Sequence, residues 1–126
     1  MPPKTKFDKE AIVEAALEIA KERGLSGITA RSVAQRLKAS VAPIYVNFTT
    51  IEELVETVVQ RVFAMTDELL KEQQGSNIFE NIGRASLAFA RMYPALYREM
   101  TIEPNPYMAS YDTVEQAMIE AMGVDE

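Results

Sequence analysis

The 126-residue sequence contains neither cysteine nor histidine. Without cysteine, the chain forms no disulfide, holds no thiolate-bound metal and has no thiol nucleophile. Without histidine, it lacks the usual general base at neutral pH, and carboxylates are its only strong metal ligands. Adjacent pairs such as Glu52 and Glu53 have no such group to support them. These absences predict that the protein is not an enzyme, with no catalytic residue, no metal site and no cofactor.

Long apolar runs are also missing. No stretch approaches the roughly 20 apolar residues that a membrane helix needs. Lys4 and Lys6 are followed by Glu10 and Glu14, whereas a secretory leader continues with an apolar core. We therefore expect a cytoplasmic protein without a membrane partner.

The charges are unevenly distributed along the chain. Residues 1–50 contain eight Lys and Arg against five Asp and Glu, a net charge of +3. Residues 51–126 contain five against fourteen, a net charge of −9, and the two parts together give the total of −6. A basic head on an acidic body indicates that the head meets a polyanion, although uneven surface charge without any partner produces the same pattern.

The first apolar stripe recurs at helical spacing and has clear end signals. Asp8 is predicted to cap this helix, and Gly24 is predicted to end it in the left-handed conformation. The face opposite the stripe carries glutamates at four-residue spacing, which we interpret as a solvated surface: Glu10, Glu14, Glu18 and Glu22.

Two short helices are predicted next. Thr29 is expected to cap a helix that continues to about residue 37, and Ser40 is expected to cap one over residues 41–47. Pro43 is tolerated because in the first turn its missing N–H has no intrahelical acceptor. The residues of the second short helix that are expected to face inward are Ile44 and Phe48, with Val41 or Ala42.

The rest of the chain is predicted to be helical as well. Thr50 with Glu53, and Asn77 with Glu80, have the spacing of capping boxes. The predicted helices are 51–74, 78–93, 95–100 and a final stripe over 107–122. The fold class is therefore all-α, with a three-helix helix-turn-helix domain at residues 1–49 and a helical body for ligand binding and dimerisation at residues 50–126.

Three segments carry a family resemblance. Residues 29–37 (TARSVAQRL), 40–48 (SVAPIYVNF) and 52–54 (EEL) resemble the DNA-binding signature of TetR-family transcriptional regulators, and the similarity extends over about residues 7–59. The resemblance implies an all-helical homodimer whose heads bind two half-sites of a palindromic duplex operator. It also implies a body that binds a small effector, which releases the DNA, as in a repressor.

The resemblance assigns phosphate contact to Tyr45 and backbone contact to Thr29. The full set of residues expected to bind DNA is Lys4, Lys6, Thr29, Arg31, Lys38, Ser40, Val41, Ala42, Pro43, Tyr45, Val46 and Asn47. A protein that keeps this head as a protein-interaction or antirepressor module, without productive DNA binding, is the alternative.

Some positions depart from the family pattern. The turn at residues 38–40 lacks the usual glycine, Asn47 stands where histidine is common, and Ile51 stands where a phosphate-binding lysine is common. The exposed part of the third helix has no Arg or Lys. We therefore expect the electrostatic contribution to come from other cations: Lys4, Lys6, Arg31, Arg36 and Lys38.

The body is rich in methionine and tyrosine. Residues 89–100 (FARMYPALYREM) are similar to the fifth and sixth helices of TetR-like ligand domains. Such residues suit an apolar effector pocket, and they suit a core or a helix interface equally well. The expected ligand is a hydrophobic small molecule, and the candidate wall residues are Phe63, Phe89, Met92, Tyr93, Tyr97, Tyr111 and Met118. Because nothing follows the stripe at 107–122, we expect the 126 residues to lack dimerising helices.

Overall fold

The computed structural model describes residues 7–101, which are helical and contain no strand, so the predicted all-α class is confirmed. None of the described helices combines the length and apolar character needed to cross a bilayer. The predicted stripe at 107–122 lies outside the described residues. The elements are α1 (Lys9–Arg23), a 3-10 turn (Leu25–Gly27), α2 (Ala30–Leu37), α3 (Ala42–Asn47), α4 (Ile51–Glu72), α5 (Ile78–Met92) and α6 (Pro94–Thr101).

The packing divides the chain into two units, and the division falls inside α4, between Phe63 and Ala64. In the first unit, α1 packs against the 3-10 turn, α2 and α3. The side chains of this unit with no exposed surface come from all four helices: Ile12, Ala16, Ile19, Ala20, Val33, Ile44, Leu54, Val58 and Val62. The predicted domain boundary between residues 49 and 50 stays a prediction.

The two ends of α1 are formed by local chemistry. Asp8 is the N-cap, as predicted, and its Oδ1 accepts from the amide of Ala11 at 2.9 Å. At the other end, the amide of Gly24 donates to the carbonyl of Ala20 at 2.7 Å. Gly24 has φ 87° and ψ 172°, so it has the positive φ that favours glycine. The predicted left-handed cap is wrong, because the extended ψ instead directs the chain into the 3-10 turn.

Thr29 caps α2, as predicted. Its Oγ1 accepts from the amide of Ser32, and the Ser32 Oγ accepts from the amide of Thr29, both at 2.9 Å. Ser32 also donates to the carbonyl of Gly27 at 2.8 Å, which links the cap to the 3-10 turn. The helix ends at Leu37, and the C-cap Lys38 has φ 59° and ψ 48°, in the left-handed region where glycine is usual.

The predicted cap of α3 is wrong. The N-cap is Val41, and no side chain caps the helix. A capping side chain accepts from the second or third amide of a helix, and Pro43 has no amide hydrogen. The next amide, that of Ile44, donates to the carbonyl of Val41 at 3.0 Å. Ser40 therefore has little to cap at this end.

The glutamate stripe of α1 is not merely solvated. The guanidinium of Arg61 on α4 bonds to Glu10 at 2.7 Å and to Glu14 at 3.0 Å. The guanidinium of Arg36 on α2 bonds to Glu18 at 3.3 Å and to Glu22 at 2.6 Å. Two arginines from two other helices therefore each join a pair of glutamates one helical turn apart. The partners were not predicted, because they lie on other helices.

At the start of α4, the predicted capping box is present with a shift of one residue. The Oγ1 of Thr50 accepts from the amide of Glu53 at 3.2 Å. The carboxylate of Glu53 accepts from the amide of Thr49 at 2.8 Å, rather than from that of Thr50.

In the second unit, α5 packs against α6. Asn77 is the predicted N-cap of α5, and its Oδ1 accepts from the amide of Glu80 at 2.9 Å. The carboxylate of Glu80 does not return to Asn77. It accepts from the amide of Ser76 at 3.0 Å and its hydroxyl at 2.9 Å, and it pairs with Arg84 one turn later. The predicted capping box is therefore only half formed.

We expect the stability contributed by Glu80 to depend on pH. The amide of Ser76 and then Arg84 lower the pKa of Glu80 from 4.5 to about 2 in the folded chain. A carboxyl group whose pKa is lowered by folding stabilises the folded chain at a pH above its unfolded-state pKa. That stability is lost as the pH falls through its folded-state pKa. Glu80→Gln should therefore lower the Tm at neutral pH and have almost no effect near pH 2, as measured by circular dichroism.

The matched control is Glu56→Gln, which removes an exposed carboxylate of α4 and should leave the Tm nearly unchanged across the same range. A Tm difference between wild type and Glu80→Gln that persists undiminished at the lowest pH would contradict the expectation.

Candidate nucleic-acid interface

The short helix α3 is held from one side and exposed on the other. Ile44 and Phe48 are buried, as predicted, whereas the side chain of Val46 is 82% exposed and that of Tyr45 is 51% exposed. Val41 and Ala42 are exposed as well. We expected Val41 or Ala42 to point towards the core, and this expectation is wrong. The helix has six residues, and it directs only its Ile44 side towards the core.

Asn47 links α3 to the chain that precedes α1. Its Nδ2 donates to the carbonyl of Phe7 at 3.2 Å and to that of Pro43 at 2.9 Å. Nearby, Lys9 Nζ lies 5.1 Å from the centre of the Phe48 ring, which is a cation–π distance. Both amide hydrogens of Asn47 are therefore used within the domain, and its predicted contact with DNA would rely on its oxygen.

The other predicted DNA-binding residues of the described chain lie at the start of α2 and around the turn between α2 and α3. Thr29, Arg31, Lys38 and Ser40 are exposed, and Pro43 is half-buried. Lys4 and Lys6 lie outside the described residues.

Arg36, one of the cations expected to supply positive charge, is paired with carboxylates of α1. Its guanidinium bonds to Glu22 and Glu18, and its side chain is only 29% exposed. The hydrogen bond from Arg36 lowers the pKa of Glu22, and the same bond raises the pKa of Arg36. Because two carboxylates face this cation, its charge is partly offset within the domain, and its contact with a polyanion stays a prediction.

The acidic residues are distributed in a way that the net charges of the two halves of the chain do not show. From Gly24 to Ile51 the chain has no Asp or Glu, although its net charge is −6. Within residues 7–101, Arg31 and Lys38 form no ion pair. This stretch therefore contains two cations without an ion pair among the described residues, Arg31 in the first turn of α2 and Lys38 in the turn before α3. Counting acids in a sliding window would have found the stretch from sequence.

The candidate effector residues do not share one environment. Phe89 is buried, and its ring packs edge-on against Tyr93, with centroids 5.5 Å apart, and lies 6.4 Å from that of Tyr97. Met92 is 49% exposed, and Phe63 belongs to the first unit. Tyr111 and Met118 lie outside the described residues. No group of three or more Asp and Glu among residues 7–101 could hold a metal ion.

Comparison with known proteins bears on the first unit. The family described as bacterial regulatory proteins, tetR family, matches residues 12–58, from α1 into α4. The N-terminal domain belongs to the TetR family. This assignment agrees with the resemblance over about residues 7–59, and it supports a DNA-binding regulator with an N-terminal helix-turn-helix. Comparisons with curated proteins and with solved structures gave no match.

In this TetR-family domain, the two faces of α3 should differ sharply in their effect on stability. Ile44→Ala removes a fully buried side chain and should lower the free energy of unfolding by about 2–5 kcal/mol. Val46→Ala truncates an exposed side chain on the same helix and should change it by less than about 0.5 kcal/mol. Urea unfolding followed by circular dichroism measures both values. Equal effects of the two substitutions would show that α3 is not seated as described.

Proposed function

We propose that the chain is a transcriptional repressor that binds a palindromic duplex operator as a homodimer, with α3 in the major groove. The observation that carries the proposal is the exposed face of α3 beside a stretch of chain with two unneutralised cations and no carboxylate. A short helix that protrudes from a packed bundle is thin enough for the major groove. The cations and the hydroxyl of Tyr45 suit the phosphates that flank it.

The start of α2 supplies a second set of phosphate contacts in this proposal. The amides of Ala30 and Arg31 lie in the first turn, where a helix has no acceptor of its own for them. The Oγ1 of Thr29 already accepts from Ser32, and its hydroxyl hydrogen can still donate to a phosphate oxygen. The positive end of the helix dipole favours an anion at the same place.

The proposal requires two copies of the head. Half-sites read by helix-turn-helix dimers lie about one turn of DNA apart, roughly 34 Å. Fixing two heads at that spacing makes the second binding event intramolecular and raises the affinity for a palindrome. Analytical ultracentrifugation with and without a palindromic duplex measures whether two copies bind together.

Removing one phosphate contact should weaken all duplexes to a similar extent. Arg31→Gln should lower the affinity for specific and nonspecific duplexes alike and reduce the slope of log K against log salt by about 1. Fluorescence anisotropy over a series of salt concentrations measures both quantities.

Arg98→Gln is the matched control, because it removes the same charge from an exposed position on α6 and should leave affinity and slope unchanged. A signal that does not depend on salt, or no binding at low salt, would favour a protein-interaction module. The half-buried Ile51 at the start of α4 and the uncharged α3 are the observations that favour this second candidate.

For the body, we propose an apolar effector site that includes the aromatic cluster of Phe89, Tyr93 and Tyr97. Phe89 provides an apolar surface, and each tyrosine adds a ring with one polar end. Effector binding would favour a conformation that does not bind DNA.

Hydrophobic aromatic compounds should therefore raise the Tm of the full chain in a thermal-shift screen, since a ligand that binds only the folded state stabilises it. Phe89→Leu, which keeps an apolar core residue but removes the ring, should reduce the ligand-induced shift. Stabilisation by anions or divalent cations alone would contradict the proposed apolar site.

A further inference from the structure

The exposed face of α3 offers few groups for recognising bases by hydrogen bonds. Its exposed side chains are Val41, Ala42, Tyr45 and Val46. Only Tyr45 carries a polar atom, and Asn47 uses both amide hydrogens within the domain. The usual bidentate contacts to guanine need Arg or Lys, and those to adenine need Asn or Gln. The exposed face of α3 has none of these free to make them.

One feature of the major groove is apolar. Each thymine presents its C5-methyl group there, and apolar side chains recognise it by contact. Val46 and Ala42 are four residues apart, so they lie on the same side of α3, and Val46 is the most exposed large apolar side chain of the described residues, at 82%. Only a small part of its surface is therefore covered within the first unit.

We propose that α3 recognises its operator mainly through the C5-methyl groups of thymines, with Val46 as the principal contact and Ala42 beside it. The inference rests on the proposed binding to duplex DNA and specifies how that site distinguishes sequences. An apolar helix face could also bind the surface of another protein. The acid-free stretch from Gly24 to Ile51, with the exposed Arg31 and Lys38, favours a polyanion.

This mode of recognition has a consequence for the sequences that are distinguished. The helix detects whether a methyl group is present at the pyrimidine C5 position, and it detects the rest of the base pair weakly. A 5-methylcytosine should therefore replace a contacted thymine better than cytosine does. Uracil pairs with adenine as thymine does but lacks the methyl group. A duplex with uracil at one of these positions should therefore bind with lower affinity.

The test begins with selection of duplexes from a random pool by the full chain, followed by single replacements in the selected site. Uracil in place of thymine should lower the affinity about fourfold for each contacted methyl group, and at one or two positions in each half-site. Cytosine at those positions should weaken binding too, and 5-methylcytosine should recover most of the loss.

A pair of protein variants assigns the contact. Val46→Ala should abolish the uracil penalty at one position of each half-site and keep it elsewhere. Arg31→Gln is the matched variant, which should weaken every duplex but preserve the full uracil penalty. Urea unfolding of both variants confirms that the head remains folded.

The outcomes separate this inference from the proposed function. Salt-dependent binding that is unaffected by uracil at every position, or selection that yields no sequence preference, overturns methyl recognition and leaves DNA binding in place. Absence of binding at low salt overturns both. Self-association that Val46→Ala abolishes also overturns the inference, because a second copy would then cover the face assigned to DNA.

Discussion

The position of α3 depends on the burial of two side chains, because a helix of six residues has almost no stability of its own. Nucleating a helix costs more than its first hydrogen bonds return, and isolated helices shorter than about 12 residues are marginal in water. No side chain caps α3, so the packing of Ile44 and Phe48 must supply what local chemistry does not. The position of the face that carries Val46 therefore depends on the packing of α3 against α1 and the core.

The same bundle determines which charges remain available to a partner. Exposed ion pairs contribute little free energy individually, but Arg36 and Arg61 each bridge two glutamates of α1 and so restrict how α2 and α4 lie against it. These contacts offset half of the charge of the four glutamates of α1 with two cations that would otherwise be free. What remains in the acid-free stretch is a modest positive charge, carried by Arg31 at the start of α2 and Lys38 before α3. Such a surface binds through shape and apolar contact as much as through charge.

Features that depend on neighbours in sequence could be predicted, and features that depend on distant neighbours could not. Asp8, Thr29 and Asn77 cap their helices because each lies within three residues of the amide that it accepts from. The cap of α3 failed because Pro43 removes an amide that the pattern assumes. The partners of the glutamate stripe lie on α2 and α4, at separations that helical periodicity does not encode. The contacts of Thr29 and Tyr45 with DNA were predicted by resemblance, and those of Arg31 and Lys38 were expected from their charge. The burial of Ile44 was predicted from its place on the inward side of α3.

Lys38 shows that the corner before α3 combines two opposing demands. A lysine in the left-handed region costs roughly 1–2 kcal/mol relative to an unstrained backbone, and glycine would remove that cost. Glycine would also remove one of the two cations of the acid-free stretch that form no ion pair within the described part of the chain. At this single position, any gain in thermal stability comes with a loss of attraction for a polyanion. Selection for a more heat-resistant protein and selection for tighter binding would therefore favour different residues here.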